Sequence, residues 1–383
     1  MKRFLLFAFT VLLLAPTWPA YAQAEFDTKA KFAILMDADS GTIIFQKDAD
    51  EPLEPASMAK LMTVAVVFSE LRAGSIKLSD EFFISENAWR TGGAKSGGST
   101  MFAILNSKIS VEDLLRSVII QSGNDAAIAL AEGIGGSESS FANMMNDKAA
   151  EIGLTGSHFV NPTGLPDPDQ YMTARDLALL ARYLIETFPE QYHIFSEDSF
   201  TWNKIKQENR NSLVDLGIGV DGLKTGHTEA AGYGSVVSTA EGGRRIIGVV
   251  HGLKSMAERT EEARKLITWG SRSFERVSAF PKGTIIAYAN VYGGVDGSVG
   301  LVGEGDVALY LPKGSRKCLQ ASVVYQGPLM PPVVEGDKVA ELRVFCDDKL
   351  VQTAPLFAAK SVEPGDIMRK ATDAVKQLAL GWL

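Results

Sequence analysis

Two cysteines and four histidines are few for 383 residues, and that shortage removes several kinds of chemistry at once. Two cysteines allow at most one disulfide, so no disulfide framework holds this fold together. Cys318 and Cys346 both fall in strand-like stretches, where a structural pair, bridged or free, is the default. The histidines (His158, His193, His227, His251) are scattered and form no H-E-x-x-H, so no metal site is expected. A G-x-S-x-G elbow is also missing, which removes the usual Ser-His-Asp hydrolase pattern. Positive charge is scarce: 38 Lys and Arg against 46 Asp and Glu leave a net charge of −8. With no dense basic stripe to offset it, nucleic acid is not an expected partner. Gly217-Ile218-Gly219-Val220-Asp221-Gly222 fits G-x-G-x-x-G, but no strand-before, helix-after context surrounds it, so no dinucleotide or other cofactor is expected.

Long apolar runs are missing too. Phe4–Ala15 falls short of the about 20 residues that cross a bilayer. Lys2 and Arg3 precede it and Ala20-Tyr21-Ala22 follows, the order of a signal peptide over 1–22 with the mature chain starting at Gln23. A buried N-terminal helix, the alternative, fits that order poorly. Export is therefore expected.

The remaining chain is long enough for two domains. Phe32–Met36 and Thr42–Phe45, with turn residues between them, read as a hairpin. Ser57–Ala73 is rich in Met, Leu, Ala and Val and is followed by Gly74, a helix with a glycine stop. Apolar spacing near 3.6 predicts helices over Val111–Gln121, Asp125–Gly133, Ser139–Ile152 and Ala174–Thr187. Gly232–Thr239 and Arg244–His251 read as paired strands around Gly242-Gly243, and Arg259–Trp269 as one more helix. Strands, then a helical block, then strands give an α+β domain with an antiparallel sheet over residues 23–283. From 284 to 362 the runs Thr284–Ala289, Val307–Leu311, Ser322–Tyr325 and Lys338–Cys346 lie between Gly and Pro turns, a small all-β domain. Residues 363–383 place Ile367, Met368, Ala371, Val375, Leu378 and Trp382 at helical spacing opposite charged residues. Such a helix either lies in a membrane interface or packs on the β domain.

Three short motifs carry the chemistry: Ser57-Met58-Ala59-Lys60, Ser122-Gly123-Asn124 and Lys224-Thr225-Gly226. A lone S-x-x-K means little; the three in order, the first at a helix start, mean much more. A serine hydroxyl needs a base, and residues three apart share a helix face, so Lys60 reaches Ser57. Lys60 can accept a proton only when neutral, which requires burial or a second cation, for which Lys224 is the candidate. Ser122 can relay protons between the lysines and a leaving amine. Asn124 suits a peptide amide, its bland reading being a helix N-cap. A strand at Lys224–His227 can pair with an extended peptide, Gly226 leaving room for the acyl chain. The backbone N–H groups of Ser57 and His227 are the candidate oxyanion donors.

These stretches, extended to Ser57–Thr63, Gln121–Ala126, Asp221–Thr228 and Ala230–Tyr233, resemble the low-molecular-mass penicillin-binding proteins, the serine D-Ala-D-Ala carboxypeptidases, over roughly residues 28–380. The resemblance implies a β-lactamase/transpeptidase-like catalytic domain, with Ser57 acylated, Lys60 its base, and Ser122, Asn124 and Lys224 completing the site. It also implies that Arg259, with Thr225 beside it, lies near the substrate's terminal carboxylate and that Arg210 lies near the site, although a surface salt bridge would explain either arginine. The Trp89–Met101 segment resembles the loop bordering the family's site, where Gly92-Gly93 and Gly97-Gly98 suggest mobility. The implied substrate is a peptidoglycan pentapeptide and the implied inhibitors are β-lactams. The implied location is the periplasm, with the C-terminal helix on the outer face of the inner membrane. A serine β-lactamase is the nearest alternative, set back by Ser-Gly-Asn in place of Ser-Asp-Asn. DD-endopeptidase activity is a closer variant, and a non-catalytic peptidoglycan-binding protein is a rival of another class.

Overall fold

The computed structural model describes residues 26–241, 244–312, 319–346 and 349–380. The expected signal peptide, the Gly242-Gly243 turn and Cys318 lie outside them.

A five-stranded antiparallel sheet forms the centre. Its strands are β1 (Phe32–Asp37), β2 (Ile43–Lys47), β3 (Val220–Thr228), β4 (Gly232–Glu241) and β5 (Arg244–Leu253), in the spatial order β2-β1-β5-β4-β3. β1 is buried at all six positions. It lies mid-sheet and is covered on both faces, so its sequence FAILMD is uniformly apolar up to Asp37 instead of alternating. Alternate residues still serve different cores. Ile34 and Met36 join the cluster containing α1 (Lys60–Ala73), α2 (Val111–Arg116), α3 (Asn124–Gly135), α4 (Glu138–Ile152) and α5 (Ala174–Thr187). Ala33 and Leu35 join Leu266 and Ile267 of α6 (Met256–Arg272) on the other face.

α1 is buried at every position from Lys60 to Phe68, as expected of a helix apolar all round. Gly74 ends it in the left-handed conformation, φ 74°, where a side chain would be strained. β3, which carries Lys224-Thr225-Gly226, is the last strand of the sheet path. One face of it, at Gly226, packs against the segment that leads into α1.

The C-terminal region is β-rich as expected, with more strands than the sequence suggests. β6 (Phe274–Phe280) pairs with β9 (Val307–Pro312). β7 (Ala287–Asn290) and β8 (Ser298–Val302) pair, and β10 (Leu319–Val324), β11 (Lys338–Cys346) and β12 (Lys349–Ala358) form a meander. Of these, β6, β8 and β12 were not anticipated. Thr353 of β12 lies opposite Ile43 of β2, which joins the two sheets into one path. The junction is reinforced by Tyr310, whose hydroxyl bonds the Asp37 carboxylate, and by Gln352, which bonds the Tyr310 N–H at 2.8 Å and the Ala308 carbonyl at 2.9 Å.

α7 (Ile367–Leu380) docks through its polar side. Asp373 accepts from Gly293 N–H at 3.0 Å, and a side chain on Gly293 or Gly297 would strike Lys370 or Arg369. Ile367, Met368 and Val375 are 82%, 73% and 66% exposed. This is the reverse of ordinary amphipathic docking. No helix among the described residues is long and apolar enough to cross a membrane.

Candidate active site

The segment before α1 is wound tightly. Ala56–Ala59 forms a short 3₁₀ turn, and Ala56 sits at φ 48° with no exposed surface. A non-glycine residue in that region is strained and is held there by its surroundings. Two glycines allow those surroundings to close in. A Cβ on Gly164 would lie 1.9 Å from the Ala56 carbonyl oxygen, and one on Gly226 would lie 2.9 Å from that of Pro55. The missing side chain of Gly226 makes room for the nucleophile's own turn (Pro55, Ala56, Met58).

Ser57, half-buried, lies within that turn. Lys60, one turn along and fully buried, places Nζ 3.0 Å from Ser57 Oγ, 2.7 Å from Asn124 Oδ1 and 2.5 Å from the Thr163 carbonyl oxygen. The last two oxygens can only accept. A neutral amine has two N–H groups and one lone pair; giving the N–H groups to those acceptors leaves the lone pair for the Ser57 proton. Burial, followed by the charge of Arg210, lowers the Lys60 pKa to about 7, against a smaller opposing pull from Asp125. The expected second cation therefore needs correcting. Lys224 is itself pushed well below the usual lysine range, by burial first and then by Lys60, Arg210 and Arg259. Arg210 is the cation acting on Lys60.

Asn124 is the first residue of α3, and Gly123 precedes it as cap residue without any side-chain capping bond. The N-cap reading of Asn124 is thus not what the structure has. Its oxygen orients Lys60, which leaves its Nδ2 as the group free to donate to a ligand. Ser122 closes the Ser117–Gln121 turn in the left-handed conformation at φ 69°. Its Oγ is buried and has no hydrogen-bond partner among the described residues. A buried, unpaired hydroxyl is costly and marks a group kept for another use.

Lys224 is 2% exposed and donates to the Thr225 carbonyl at 3.2 Å. Arg259 is buried on α6, and its Nη2 lies 3.4 Å from the Arg210 carbonyl oxygen. Burial and then Arg210 lower its pKa to about 10. Arg210 is tied to the Ser122 turn through its N–H to the Ile120 carbonyl, 3.0 Å. Neither arginine forms an ion pair among the described residues, so the salt-bridge reading fails for both. Two guanidinium groups beside two buried amines make a site for an anion. Thr225 is 6% exposed on the same strand. The exposed His227 ring stacks on Tyr233, centroids 3.8 Å apart.

Two contributors escaped the sequence reading. Thr163 acts through its backbone carbonyl, which no side-chain motif announces. Asp125, fully buried, accepts from Thr100 Oγ1 (2.6 Å) and from the N–H groups of Met101 (2.9 Å), Ala103 (3.1 Å) and Ala126 (3.0 Å). It pins the 99–103 loop to the start of α3, where Asn124 N–H also bonds the Ser99 carbonyl at 2.8 Å. Gly92 has a packing role in the same place, since a Cβ there would lie 2.4 Å from Asp125 N.

Known proteins share this architecture. Residues 19–255 match the family described as D-alanyl-D-alanine carboxypeptidase, and residues 274–364 match the penicillin-binding protein 5 C-terminal domain. D-alanyl-D-alanine carboxypeptidase DacC of Escherichia coli is 41% identical over 92% of this chain and 89% of its own. The crystal structure of penicillin binding protein 5 from Haemophilus influenzae superposes with a TM-score of 0.70 at 38% identity, covering 88% of this chain and 99% of that one. That of D-alanyl-D-alanine carboxypeptidase DacD from Francisella tularensis gives 0.69 at 30% identity, covering 93% and 97%.

Proposed function

This chain belongs to the D-alanyl-D-alanine carboxypeptidase family, and from that membership we propose a specific reaction path for it. It is a serine carboxypeptidase that trims the terminal D-alanine from peptidoglycan pentapeptides and is acylated by β-lactams. Ser57 Oγ attacks the carbonyl carbon of the penultimate D-alanine while Lys60 takes its proton. The N–H groups of Ser57 and His227 hold the developing oxyanion. The C–N bond breaks, and Ser122 passes the proton from Lys60 to the departing D-alanine amine. Water then attacks the ester, gives its proton back through Lys60, and regenerates Ser57. Arg210 and Arg259, with Thr225 and Lys224, hold the substrate's carboxylate, while Asn124 Nδ2 meets a peptide amide.

The observation that carries this path is the single amine of Lys60, buried and shared among Ser57 Oγ, Asn124 Oδ1 and the Thr163 carbonyl. A fluorescent penicillin should label the wild type and leave Ser57→Ala dark, with D-alanine release from a pentapeptide lost in parallel. Equal labelling of both would end the assignment. Rapid turnover of the penicillin in place of a lasting adduct would favour a β-lactamase.

The domain limits proposed are a signal peptide over 1–22, a catalytic domain over 23–283, a β-rich domain over 284–362 and a terminal helix over 363–383. Export to the periplasm follows from the first of these. Attachment to the outer face of the inner membrane is supported by the outward apolar side of α7.

A further inference from the structure

Asn209-Arg210-Asn211 follows a small hairpin, Ser199–Trp202 paired with Ile205–Glu208, and the reaction path draws only on its arginine. Exposure alternates along the three residues: Asn209 and Asn211 are buried, while Arg210 between them is exposed. A buried amide is costly unless its hydrogen bonds are made, and both of these make theirs with main chain. Asn209 Nδ2 donates to the Phe195 and Glu197 carbonyls at 3.2 and 2.9 Å, and its Oδ1 accepts from Asn211 N–H at 2.9 Å, spanning Arg210. Asn211 Nδ2 donates to the Gly222 carbonyl at 2.9 Å, and its Oδ1 accepts from Leu213 N–H at 3.4 Å.

The Arg210 main chain is tied in turn to the rest of the site. Its N–H donates at 3.0 Å to the carbonyl of Ile120, which shortly precedes Ser122, and its carbonyl accepts from Arg259 Nη2 at 3.4 Å. Gly222, which Asn211 holds, shortly precedes Lys224 on β3. The Ser122 turn, β3 and α6 therefore converge on one main-chain segment, although they lie far apart in sequence. The Arg210 side chain has no hydrogen-bond or ion-pair partner among the described residues. Its starting point in the site is therefore fixed by its main chain, and that main chain is held by the two flanking amides.

We propose that Asn209 and Asn211 are positioning residues for the substrate's carboxylate: they clamp the Arg210 main chain and, through its carbonyl, the Arg259 guanidinium, and so set the spacing of the two guanidinium groups. This rests on the proposed carboxylate-holding role of Arg210 and Arg259, and adds to it the device that keeps an exposed arginine in register with a buried one.

The test compares two reactions at Ser57 in each enzyme: D-alanine release from a pentapeptide, and acylation by a small nitrophenyl ester that has no carboxylate. Both are run at about pH 8.5, above the Lys60 pKa of about 7, so that a change in the neutral fraction of that amine is not what is read. The readout is the ratio of peptide kcat/KM to the ester acylation rate. Asn211→Ala should lower that ratio about tenfold, the scale of weakening one hydrogen bond to a charged group, with the loss appearing as a raised peptide KM. In an Arg210→Gln background the same substitution should lower it by less, because part of what it positions is already gone. Should Asn211→Ala unfold too readily for kinetics, Asn209→Ser, which leaves the Gly222 contact in place, carries the same comparison. A purely structural role would lower both reactions together and leave the ratio standing, and that result, or full additivity with Arg210→Gln, overturns the proposal. An unmoved ratio in both Arg210→Gln and Arg259→Gln would instead bring down the carboxylate-holding role itself, and the clamp with it.

Discussion

Lys60 Nζ stands 3.0 Å from Ser57 Oγ and is held there from behind by two oxygens that can only accept. The arrangement works as a base only while the amine is neutral, and burial lowers its pKa to about 7. A lowered lysine pKa enlarges the neutral fraction, so the acylation rate should be level above pH 7 and fall roughly tenfold per pH unit below it. Stopped-flow acylation by a β-lactam measures this directly. A plateau extending to pH 5 would remove Lys60 from the role of base.

Arg210 is the neighbouring charge that helps to keep Lys60 neutral. Arg210→Gln should therefore raise the Lys60 pKa and move the acid limb of acylation to higher pH, with the largest loss below neutrality. Under the proposed carboxylate-holding role of the same guanidinium, peptide KM should also rise. A KM effect with an unmoved acid limb would restrict Arg210 to substrate binding.

Asp125 has a less visible task. Replacing it with Asn removes one of two acceptor oxygens and turns an NH₂ toward donors from Thr100, Met101, Ala103 or Ala126. The expected cost is about 2–4 kcal/mol, from unsatisfied buried donors. The 99–103 loop should loosen first, seen as faster amide exchange at Met101 and Ala103 and as an altered deacylation rate. Unchanged exchange at those amides would show that the loop is held by other contacts.

The parts of this site that could be read from the sequence are those whose geometry is local. Ser57 and Lys60 are joined by helical spacing, and β3 and β4 by a short turn, so residue order alone brings them near their places. Asp125 looks in sequence like an acid at a helix start, favourable to the helix dipole, and only the fold reveals four donors converging on it. Thr163 contributes a carbonyl that every residue type possesses. Gly226 stands out within its motif, yet the turn it packs against lies about 170 residues away in sequence. In the β-rich region, β8 and β12 pair chiefly with their sequence neighbours β7 and β11, yet their mixed apolar and polar runs carry too little period-2 signal to stand out.

Gly164 tests how tightly the nucleophile's turn is clamped. It sits at φ 75°, and a Cβ there would lie 1.9 Å from the Ala56 carbonyl oxygen. Gly164→Ala must displace either the strained Ala56 turn or the loop carrying the Thr163 carbonyl. Thermal unfolding should show a loss of at least about 2 kcal/mol, and kcat for D-alanine release should fall because Lys60 loses an acceptor. Unchanged kcat at full loading would show that the Thr163 contact is dispensable.

α7 presents Ile367, Met368 and Val375 outward while its polar residues hold the β-rich domain. Three apolar side chains buried in a bilayer interface contribute about 1.5–3 kcal/mol each when fully withdrawn from water. Under the proposed attachment, Ile367→Glu combined with Val375→Glu should weaken sedimentation with phospholipid vesicles by at least about tenfold, since each change removes apolar burial and adds a charge. Both positions already face solvent, so the soluble protein should keep its unfolding temperature and its turnover of a short soluble peptide. Should the variant bind vesicles as the wild type does, the outward apolar face is not what holds this protein to a membrane. An altered unfolding temperature with vesicle binding unchanged would instead place that face against the protein itself.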